Sequence, residues 1–370
     1  MEERKYLADF SLALINRTGA YYISRDVVDS LNRYFFRVRY WRLYFNRTPK
    51  GIFRKIMARL MLKEIDWLGS TDVLLWPDAY QDRQRLPILF FDPLYVLRSS
   101  LSREDIVLCH DVGPVSHREF FDPSTSRNYD AAYAKIKAAK PGLVFVSEAS
   151  KLEFQKYFGR DFRFLHVILL YVRPTAQKGI LTPVEGVSPP FLLTVAGLEQ
   201  RKNYLRVMEA YSRTGLNEKG ISYVFCGPRG NGAEEILAVA ANTPGVIAHS
   251  YVSEPELRWL YANATGFVLP SLLEGFGVPA LEAASAGLVP LVSRGGAQEE
   301  AIGGNGVLVD ALSIDSIADG LITLVNMQDN ERAALVARAR AHAETLTLER
   351  FLPSWEALLK ENKPSKQECS

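Results

Sequence analysis

The chain has 370 residues, of which 48% are hydrophobic and 23% charged, and its formal net charge is +2. This composition is ordinary for a soluble globular protein, and the length is enough for two hydrophobic cores. No apolar run approaches the roughly 18 residues of a membrane span, and the first residues lack the apolar stretch of a signal peptide. We therefore expect a cytoplasmic protein. Cys109, Cys226 and Cys369 are odd in number and widely spaced, which fits neither a disulfide framework nor a zinc site.

The first 60 residues are strongly basic, with thirteen Lys or Arg against five acids. Between Tyr34 and Leu62 these cations alternate with aromatic and aliphatic side chains. The pattern fits a segment that lies on an anionic membrane surface, and it equally fits a solvated basic face over core aromatics. A basic aromatic stretch would also attract nucleic acid, which we do not expect as a partner. Residues 34–62 are thus a possible peripheral contact with the inner membrane.

The first half of the chain alternates short apolar runs with helical stretches. We predict a first strand at 10–15, a turn at 16–20 and a helix to about residue 36. Further strands are predicted at 73–76, 88–91, 106–109, 143–146 and 165–170. This rhythm is typical of a doubly wound parallel sheet.

Polar residues follow directly after two of these strands. His110 and Asp111 come after the strand at 106–109, and functional residues in such sheets gather at the carboxyl ends of strands. A lone histidine can equally be structural. Ser147 is predicted to cap a helix at 148–158. His117, Arg118 and Glu119 lie in the loop beyond His110, where they could contact an acceptor or simply form a surface loop.

Residues 173–190 contain four prolines and two glycines without periodicity, which indicates a linker. A buried strand at 191–196 and Gly197 follow, and then a helix for which Asn203 is the predicted N-cap. Arg201 and Lys202 therefore lie beside a positive helix end, where a diphosphate would be neutralised. The alternative for both cations is an ordinary surface charge.

The most informative stretch is 269–282, Leu-Pro-Ser-Leu-Leu-Glu-Gly-Phe-Gly-Val-Pro-Ala-Leu-Glu. It follows a predicted strand at 266–269, and Pro279 suits the first turn of a helix. Glu274 is then on the loop and Glu282 about one turn into the helix. The glycines of 275–277 let the backbone approach a ligand, with N–H groups available to a phosphate or sugar. Two carboxylates fit this place if each accepts a hydroxyl, although acids at a helix start also favour the macrodipole.

The rest of the chain continues the same rhythm. Arg229 lies in the loop after a strand predicted at 221–226, and the family resemblance given below makes it a candidate for contact with a nucleotide base. Strands are also predicted at 246–252, 288–292 and 307–310. Helices are predicted after Ser253 and at 314–324, 330–345 and 346–360, before a polar tail from residue 363.

The stretch 269–282 resembles the Glu-x7-Glu signature of retaining glycosyltransferases, most closely glycosyltransferase family 4 of the GT-B fold. The Arg201-Lys202-Asn203 run, the His110-Asp111 turn and the Val146-Ser147-Glu148 turn are similar to the family's patterns too. The resemblance implies an α/β GT-B protein with two Rossmann-like doubly wound domains facing a cleft. It implies an acceptor-binding domain at 1–183, a nucleotide-sugar-binding domain at 184–346, and a terminal helix at 347–370 that packs back on the first domain.

The resemblance also implies residue roles. Glu274 would contact the donor sugar, Glu282 the nucleotide ribose, and His110 a sugar hydroxyl or the reacting centre. The backbone of Gly275, Phe276 and Gly277 would contact sugar and diphosphate, and Gly197 and Gly19 would lie near the donor. The family's glycine-rich first loop is reduced here to Gly19, so that contact departs from the pattern.

The expected activity is transfer of a sugar, with mannose from GDP-mannose as our guess, to a glycan or lipid-linked glycan of a surface polysaccharide or lipopolysaccharide. Retention would proceed by front-face displacement, in which the leaving phosphate helps take the acceptor proton. No cofactor and no metal are expected, since the sequence has no Asp-x-Asp site near Arg201 and Lys202. The alternatives are a GT-B nucleotide-sugar epimerase or hydrolase and a non-catalytic binding subunit.

Overall fold

The computed structural model describes residues 6–15, 19–71, 86–172 and 179–362. The chain divides into two compact units, of which the first comprises Met1–Leu169 and Glu349–Ser370 and the second Leu170–Leu348. Each unit is built around its own sheet, and both sheets are flanked by helices. The predicted α/β class with two doubly wound domains is confirmed.

The sheet of the first unit has seven strands in the order β3-β2-β1-β4-β5-β6-β7. All neighbours are parallel except β2 and β3, which form an antiparallel pair. The strands are β1 Tyr6–Asp9, β2 Phe35–Tyr40, β3 Leu43–Tyr44, β4 Ile88–Phe90, β5 Ile106–Cys109, β6 Gly142–Phe145 and β7 Phe164–Val167. The helices are α1 Leu12–Ile15, α2 Gly19–Ser30, α3 Gly51–Thr71, α4 Gly113–Ser116, α5 Pro123–Ala139 and α6 Glu148–Phe158. The chain order reverses between β1 and β4, which is the place where such sheets form a crevice.

The second sheet has six parallel strands in the order β10-β9-β8-β11-β12-β13. The strands are β8 Phe191–Val195, β9 Ser222–Cys226, β10 Val246–His249, β11 Gly266–Leu269, β12 Pro290–Ser293 and β13 Val307–Val309. The helices are α7 Tyr204–Thr214, α8 Ala233–Ala241, α9 Glu254–Asn263, α10 Val278–Ala286, α11 Ala297–Ala301, α12 Ile314–Asn326 and α13 Asp329–Ala343. The switch point lies between β8 and β11.

Strand β8 shows why this sheet has continuous apolar runs. Leu192 belongs to one hydrophobic cluster, while Phe191 and Leu193 belong to the cluster on the opposite face. Successive side chains of a strand point to opposite faces, so a sheet covered by helices on both sides needs apolar residues at every position. This is the pattern from which the strands of the second unit were predicted, and each was found within a few residues.

The last helix, α14 Leu348–Glu361, contacts the first unit. The hydroxyl of Tyr34 donates to Glu356 Oε1 at 2.8 Å, and the hydroxyl of Tyr6 donates to the Leu359 carbonyl at 3.3 Å. Trp355 and Phe351 are buried on the same helix. The apolar face of α14 thus packs on the first unit, although the chain reaches it from the second.

Two predictions near the N-terminus are wrong. The predicted strand at 10–15 is instead the helix α1, and the strand lies earlier, at Tyr6–Asp9. A short apolar run does not distinguish a strand from a buried helix, and here the Asp9 carboxylate accepts the Ser11 N–H at 3.0 Å and turns the chain. The predicted helix to residue 36 ends at Ser30. The predicted strand at 73–76, residues 16–18 of the predicted turn, residues 173–178 of the linker and the tail from 363 lie outside the described residues.

The stretch 34–62 is not one interfacial segment. It contains the strands β2 and β3 and the first half of the helix α3. Arg39 is buried, with its guanidinium 2.8 Å from Asp9 Oδ2, and Arg42 forms an ion pair with Glu64. Arg39 is therefore neutralised inside the unit and is not available to a membrane, while Arg42 stays partly exposed and has its charge matched by Glu64.

Candidate active site

The candidate site of the second unit lies at its switch point, where the loops after β8 and β11 meet. The Leu272 N–H donates to the Arg201 carbonyl at 2.8 Å and ties the two loops together. The Asn203 amide donates to the carbonyls of Pro270 at 2.9 Å and Ala311 at 2.8 Å. Asn203 occupies the predicted N-cap position of α7, but its side chain does not cap the helix. Its φ of +66° is left-handed, no capping bond forms, and its side chain joins loops instead.

Glu274 is the centre of a compact charged cluster. Its Oε1 accepts from Lys202 Nζ at 2.5 Å and from the Ser271 hydroxyl at 3.0 Å. Its Oε2 lies 3.4 Å from the Arg201 guanidinium. The side chains of Lys202 and Glu274 are only 8% and 9% exposed, so this pair is shielded from solvent. The structure therefore brings together three of the predicted site residues.

Arg201 also forms an ion pair with Glu199, whose Oε2 accepts from the Arg201 Nε at 2.6 Å. Burial alone would raise the pKa of Glu274, but Lys202 first and Arg201 second hold it below its ordinary value. The cluster thus places two cations beside the two carboxyl groups of Glu274 and Glu199. An incoming diphosphate would find both cations close together, and it would compete with Glu274 and Glu199 for them.

The helix α10 begins in the way its sequence predicts. Gly277 precedes it with a φ of +110°, which favours glycine, and an added Cβ would lie 3.0 Å from Gln298 Cγ. Pro279 is in the first turn, Glu274 is on the preceding loop and Glu282 is in the second turn. The Phe276 ring is buried, so this residue can offer a ligand its backbone but not its side chain.

Sequence reasoning missed the residues that hold the Glu274 loop. Buried Gln298 accepts the Ser271 N–H at 3.2 Å through Oε1, and the Ser293 hydroxyl donates to the Ser271 carbonyl. Ser271 in turn holds Glu274. The sequence gives only weak indications of these supporting roles. Ser271 is three residues before Glu274 on the same loop, and Gln298 comes soon after Gly295 and Gly296 in the loop after β12.

The loops after β8 and β9 approach each other closely. Gly227 is required there because an added Cβ would lie 1.8 Å from the Ala196 carbonyl oxygen. At Gly197 the nearest atom to an added Cβ is Glu199 Oε1, at 3.0 Å. Arg229, the weak candidate for base contact, pairs with Glu234 at 2.6 Å, and both side chains are mostly exposed. The structure therefore places this guanidinium in a surface ion pair.

His110 lies in the first unit, directly after β5. The Ser150 hydroxyl donates to its carbonyl at 3.0 Å, and Asp111 Oδ1 accepts the Gly113 N–H at 2.8 Å, so the turn is held on both sides. Burial lowers the pKa of His110, against smaller opposing effects of Asp111 and a hydrogen bond to the Phe91 backbone. The ring Nε2 is buried and has no hydrogen-bond partner within the described residues.

These observations fix the form of the His110 ring. A neutral imidazole has one donor and one acceptor nitrogen, and the bond to the Phe91 backbone uses one of them. Since Nε2 has no partner in the described part of the chain, Nδ1 makes that bond as the donor and Nε2 carries the lone pair. His110 can therefore accept a hydrogen bond from a hydroxyl.

An acid that the sequence reasoning did not single out lies beside this turn. Asp92 follows β4 and accepts the Tyr129 hydroxyl at 2.9 and 3.1 Å and the Leu94 N–H at 2.8 Å. Burial, with a smaller effect of the nearby Asp111, raises the pKa of Asp92 to about 7. A carboxyl that titrates near neutral pH is common at functional sites.

The remaining candidates of the first unit are less constrained. Gly19 begins α2, and no atom of the described residues lies within 4 Å of an added Cβ, so these residues do not require glycine there. His117 stacks on Phe120 and its Nδ1 is 2.8 Å from the Ser116 hydroxyl. Arg118 pairs with Asp130 at the surface, and Glu119 is exposed.

Comparisons with known proteins give a family match and several relatives. Residues 183–342 match the family model described as "Glycosyl transferases group 1". The chain is 32% identical to the Escherichia coli O-antigen chain mannosyltransferase B over 43% of this chain and 42% of that protein. It is 27% identical to the GDP-mannose:cellobiosyl-diphosphopolyprenol alpha-mannosyltransferase of Xanthomonas oryzae pv. oryzae, over 56% and 50% respectively. The chain thus spans half or less of the length of these two relatives.

Solved structures share the fold at low identity. An alpha,alpha-trehalose-phosphate synthase (UDP-forming) from Burkholderia vietnamiensis matches with a TM-score of 0.58 and 15% identity, over 85% of this chain and 78% of that chain. A trehalose-6-phosphate synthase structure matches with a TM-score of 0.61 and 13% identity, over 96% and 99%. Together with the family match, these findings confirm the GT-B fold and the resemblance to GT-B glycosyltransferases, mannosyltransferases among them.

Proposed function

We propose that this protein is a metal-independent retaining glycosyltransferase that takes a sugar from a nucleotide sugar. The observation that carries the proposal is the cluster of Arg201, Lys202 and Glu274 at the switch point, one loop away from the helix that bears Glu282. Paired cations neutralise a diphosphate, and carboxylates orient hydroxyls. The match to the glycosyltransferase family model covers all four residues.

In the proposed reaction the bond between the anomeric carbon and the diphosphate oxygen breaks, and the acceptor oxygen bonds to the same face of the sugar. The acceptor proton passes to the leaving phosphate. Arg201 and Lys202 would stabilise the charge that develops on the diphosphate, which is the kind of preorganised electrostatic effect that lowers a barrier most. Glu274 would orient the sugar, Glu282 would accept from the ribose, and His110 Nε2 would accept from a sugar hydroxyl.

We propose GDP-mannose as the donor and a lipid-linked glycan of a surface polysaccharide or lipopolysaccharide as the acceptor. The names of the relatives support this choice, since one is an O-antigen chain mannosyltransferase and another uses GDP-mannose and a diphosphopolyprenol. Such an acceptor would be used at the cytoplasmic face of a membrane. Among the described residues, no helix has the length and apolarity needed to cross a bilayer.

Thermal unfolding with a panel of nucleotide sugars tests the donor, because a bound ligand stabilises the fold by mass action. We expect GDP-mannose and GDP to raise the unfolding temperature, and Glu282→Ala to reduce the effect. Product analysis with and without an added glycan acceptor then tests the reaction. Donor turnover without an acceptor would indicate an epimerase or hydrolase, and donor binding without any turnover would indicate a binding subunit.

The metal independence is tested by chelation. We expect transfer to continue at an unchanged rate in excess EDTA, since Arg201 and Lys202 already supply two positive charges where the diphosphate would bind. A loss of transfer that is restored by adding back a divalent ion would contradict this part of the proposal.

A further inference from the structure

The outer face of helix α3 exposes an unusual amount of apolar surface. Met57, Met61, Ile65 and Leu68 are buried, and they define the face that packs on the first unit. On the outer side Ile52 is 77% and Ile56 50% exposed, and Phe53, Leu60 and Leu62 are exposed as well. Ile52, Ile56 and Leu60 are spaced four residues apart, so they form one stripe along the helix.

Cations lie beside this stripe. Lys55, Arg59 and Lys63 are all exposed and form no ion pair in the part of the chain that the structure describes. Residues 51–63 contain four Lys or Arg and no Asp or Glu. Apolar and cationic side chains line the same open surface depression of about 390 Å³, which is formed by Ile56, Arg59, Leu60, Leu62 and Lys63.

We propose that this face of α3, defined by Ile52, Lys55, Ile56, Arg59, Leu60 and Lys63, docks the protein on an anionic phospholipid membrane. An exposed apolar stripe beside unpaired cations is complementary to a bilayer surface, where the apolar side chains enter the boundary of the acyl chains and the cations meet lipid phosphates. The inference goes beyond the proposed function, because binding to lipid needs neither donor nor acceptor.

Another exposed patch in the same unit shows why charge selects α3. Leu152 on α6 is 52% exposed, much like Ile56, and it also has lysines nearby. Those lysines are neutralised, since Lys151 pairs with Glu148 and Lys156 with Glu153. The apolar side chains on α3 and on α6 are therefore exposed to a similar extent. Of these two patches, only the one on α3 carries lysines and arginines without an ion-pair partner among the described residues.

The test is sedimentation of the full chain with vesicles of phosphatidylcholine alone or with 30% phosphatidylglycerol, a composition chosen to supply about the charge of an anionic leaflet. We expect binding to the mixed vesicles, weak binding to the neutral ones, and release as the salt concentration rises and screens the cations. Lys55→Glu/Arg59→Glu should weaken binding to mixed vesicles by at least about tenfold, given roughly fivefold for each cation near the surface. Ile52→Asp/Ile56→Asp should weaken it by at least about tenfold too, because two apolar side chains no longer enter the acyl boundary.

Leu152→Asp is the matched control, and it should bind like the wild type. All variants change exposed side chains, and thermal unfolding verifies that they are folded. Unchanged binding of both double variants would overturn the proposal, as would a lipid-free dimer that both double variants dissociate, because the face would then be covered by a second copy. Vesicle binding is measured without substrates, so a failure of sugar transfer leaves this inference standing.

Discussion

Lys202 and Glu274, 72 residues apart in sequence, meet through a contact of 2.5 Å between Nζ and Oε1. Their loops follow β8 and β11, which are neighbours in the sheet although they are not consecutive in the chain. Both side chains are more than nine-tenths shielded from solvent. The pair therefore depends on the native fold, and each charge depends on the other.

We predict that Lys202→Met lowers the free energy of unfolding by about 3 kcal/mol, because the buried Glu274 carboxylate loses its nearest cation and keeps the Ser271 hydroxyl and a long contact to Arg201. Urea unfolding at neutral pH measures this. Lys202→Met/Glu274→Gln should recover most of the loss, since the second change removes the unpaired charge. If the double variant is as unstable as the sum of the two single variants, the pair is not energetically coupled.

His110 provides a prediction about pH. Its pKa is lowered from 6.5, so the ring stays neutral down to lower pH than an ordinary histidine, and Nε2 remains an acceptor. We expect kcat to be flat from pH 8 to 6.5 and to fall below that. His110→Phe should lower kcat about tenfold or more because a hydrogen bond is lost, whereas His110→Asn keeps an acceptor and loses less.

The control for His110 is the shape of the pH profile. His110→Asn cannot titrate, so the decrease at acid pH should disappear in this variant if His110 causes it. An unchanged acid limb, or a His110 ring that titrates above 6.5 by NMR, would contradict the assignment of a neutral acceptor.

Asp92 provides a prediction about stability. Its pKa is about 7 in the folded chain and near 3.8 in the unfolded chain. At any pH between these two values, the folded state therefore binds a proton that the unfolded state releases. Its contribution to stability is complete below about pH 3.8 and is lost as the pH rises to about 7. We expect the wild type to lose as much as about 3 kcal/mol relative to Asp92→Asn between pH 5 and 8.

Unfolding by urea across this pH range measures the effect. Tyr129→Phe removes the donor that favours the ionised Asp92, so in that variant the loss should extend to higher pH. Parallel curves for the wild type and Asp92→Asn would show that Asp92 titrates normally.

The sequence was sufficient to predict an element wherever a single local pattern determines it. Strands β8 to β13 have continuous apolar runs because helices cover both faces, and Pro279 and Gly277 define the start of α10. The cluster residues Arg201, Lys202 and Glu274 were each identified, but their mutual pairing could not be predicted. Ion pairing depends on distances between loops, and the sequence does not contain these distances.

The errors have a similar physical origin. The run 10–15 is apolar enough for a strand, but β1 ends at Asp9, whose carboxylate accepts the Ser11 N–H and is held by buried ion pairs with Arg39 and Arg98. Because Arg39 is buried in its ion pair with Asp9, it cannot take part in the predicted membrane contact. Asp92 was missed because an acid before a proline looks like an ordinary cap, and the Tyr129 hydroxyl that contacts it is 37 residues away in the sequence.

The last prediction concerns the two acids of the Glu-x7-Glu signature. Substituting Glu274 and substituting Glu282 should have different effects on GDP affinity and on the rate of sugar transfer. Glu274 pairs with Lys202 and, at a longer distance, with Arg201, so Glu274→Gln removes the carboxylate that would compete with a diphosphate for Lys202, while Arg201 keeps its ion pair with Glu199. We therefore expect this variant to bind GDP as tightly as the wild type or up to about tenfold more tightly. Transfer should nevertheless fall by about a hundredfold or more, because Glu274 would act on charge that develops in the transition state.

Glu282→Ala should show the opposite behaviour. Glu282 would hold the ribose, away from the bond that breaks, so its loss should weaken GDP binding about tenfold or more and change turnover at saturating donor much less. Calorimetry with GDP and single-turnover transfer measure both quantities. Glu235→Ala, which removes an exposed acid from the first turn of α8, should change neither. If Glu274→Gln loses GDP binding as Glu282→Ala does, or keeps nearly full transfer, the assignment of sugar to Glu274 and ribose to Glu282 is wrong.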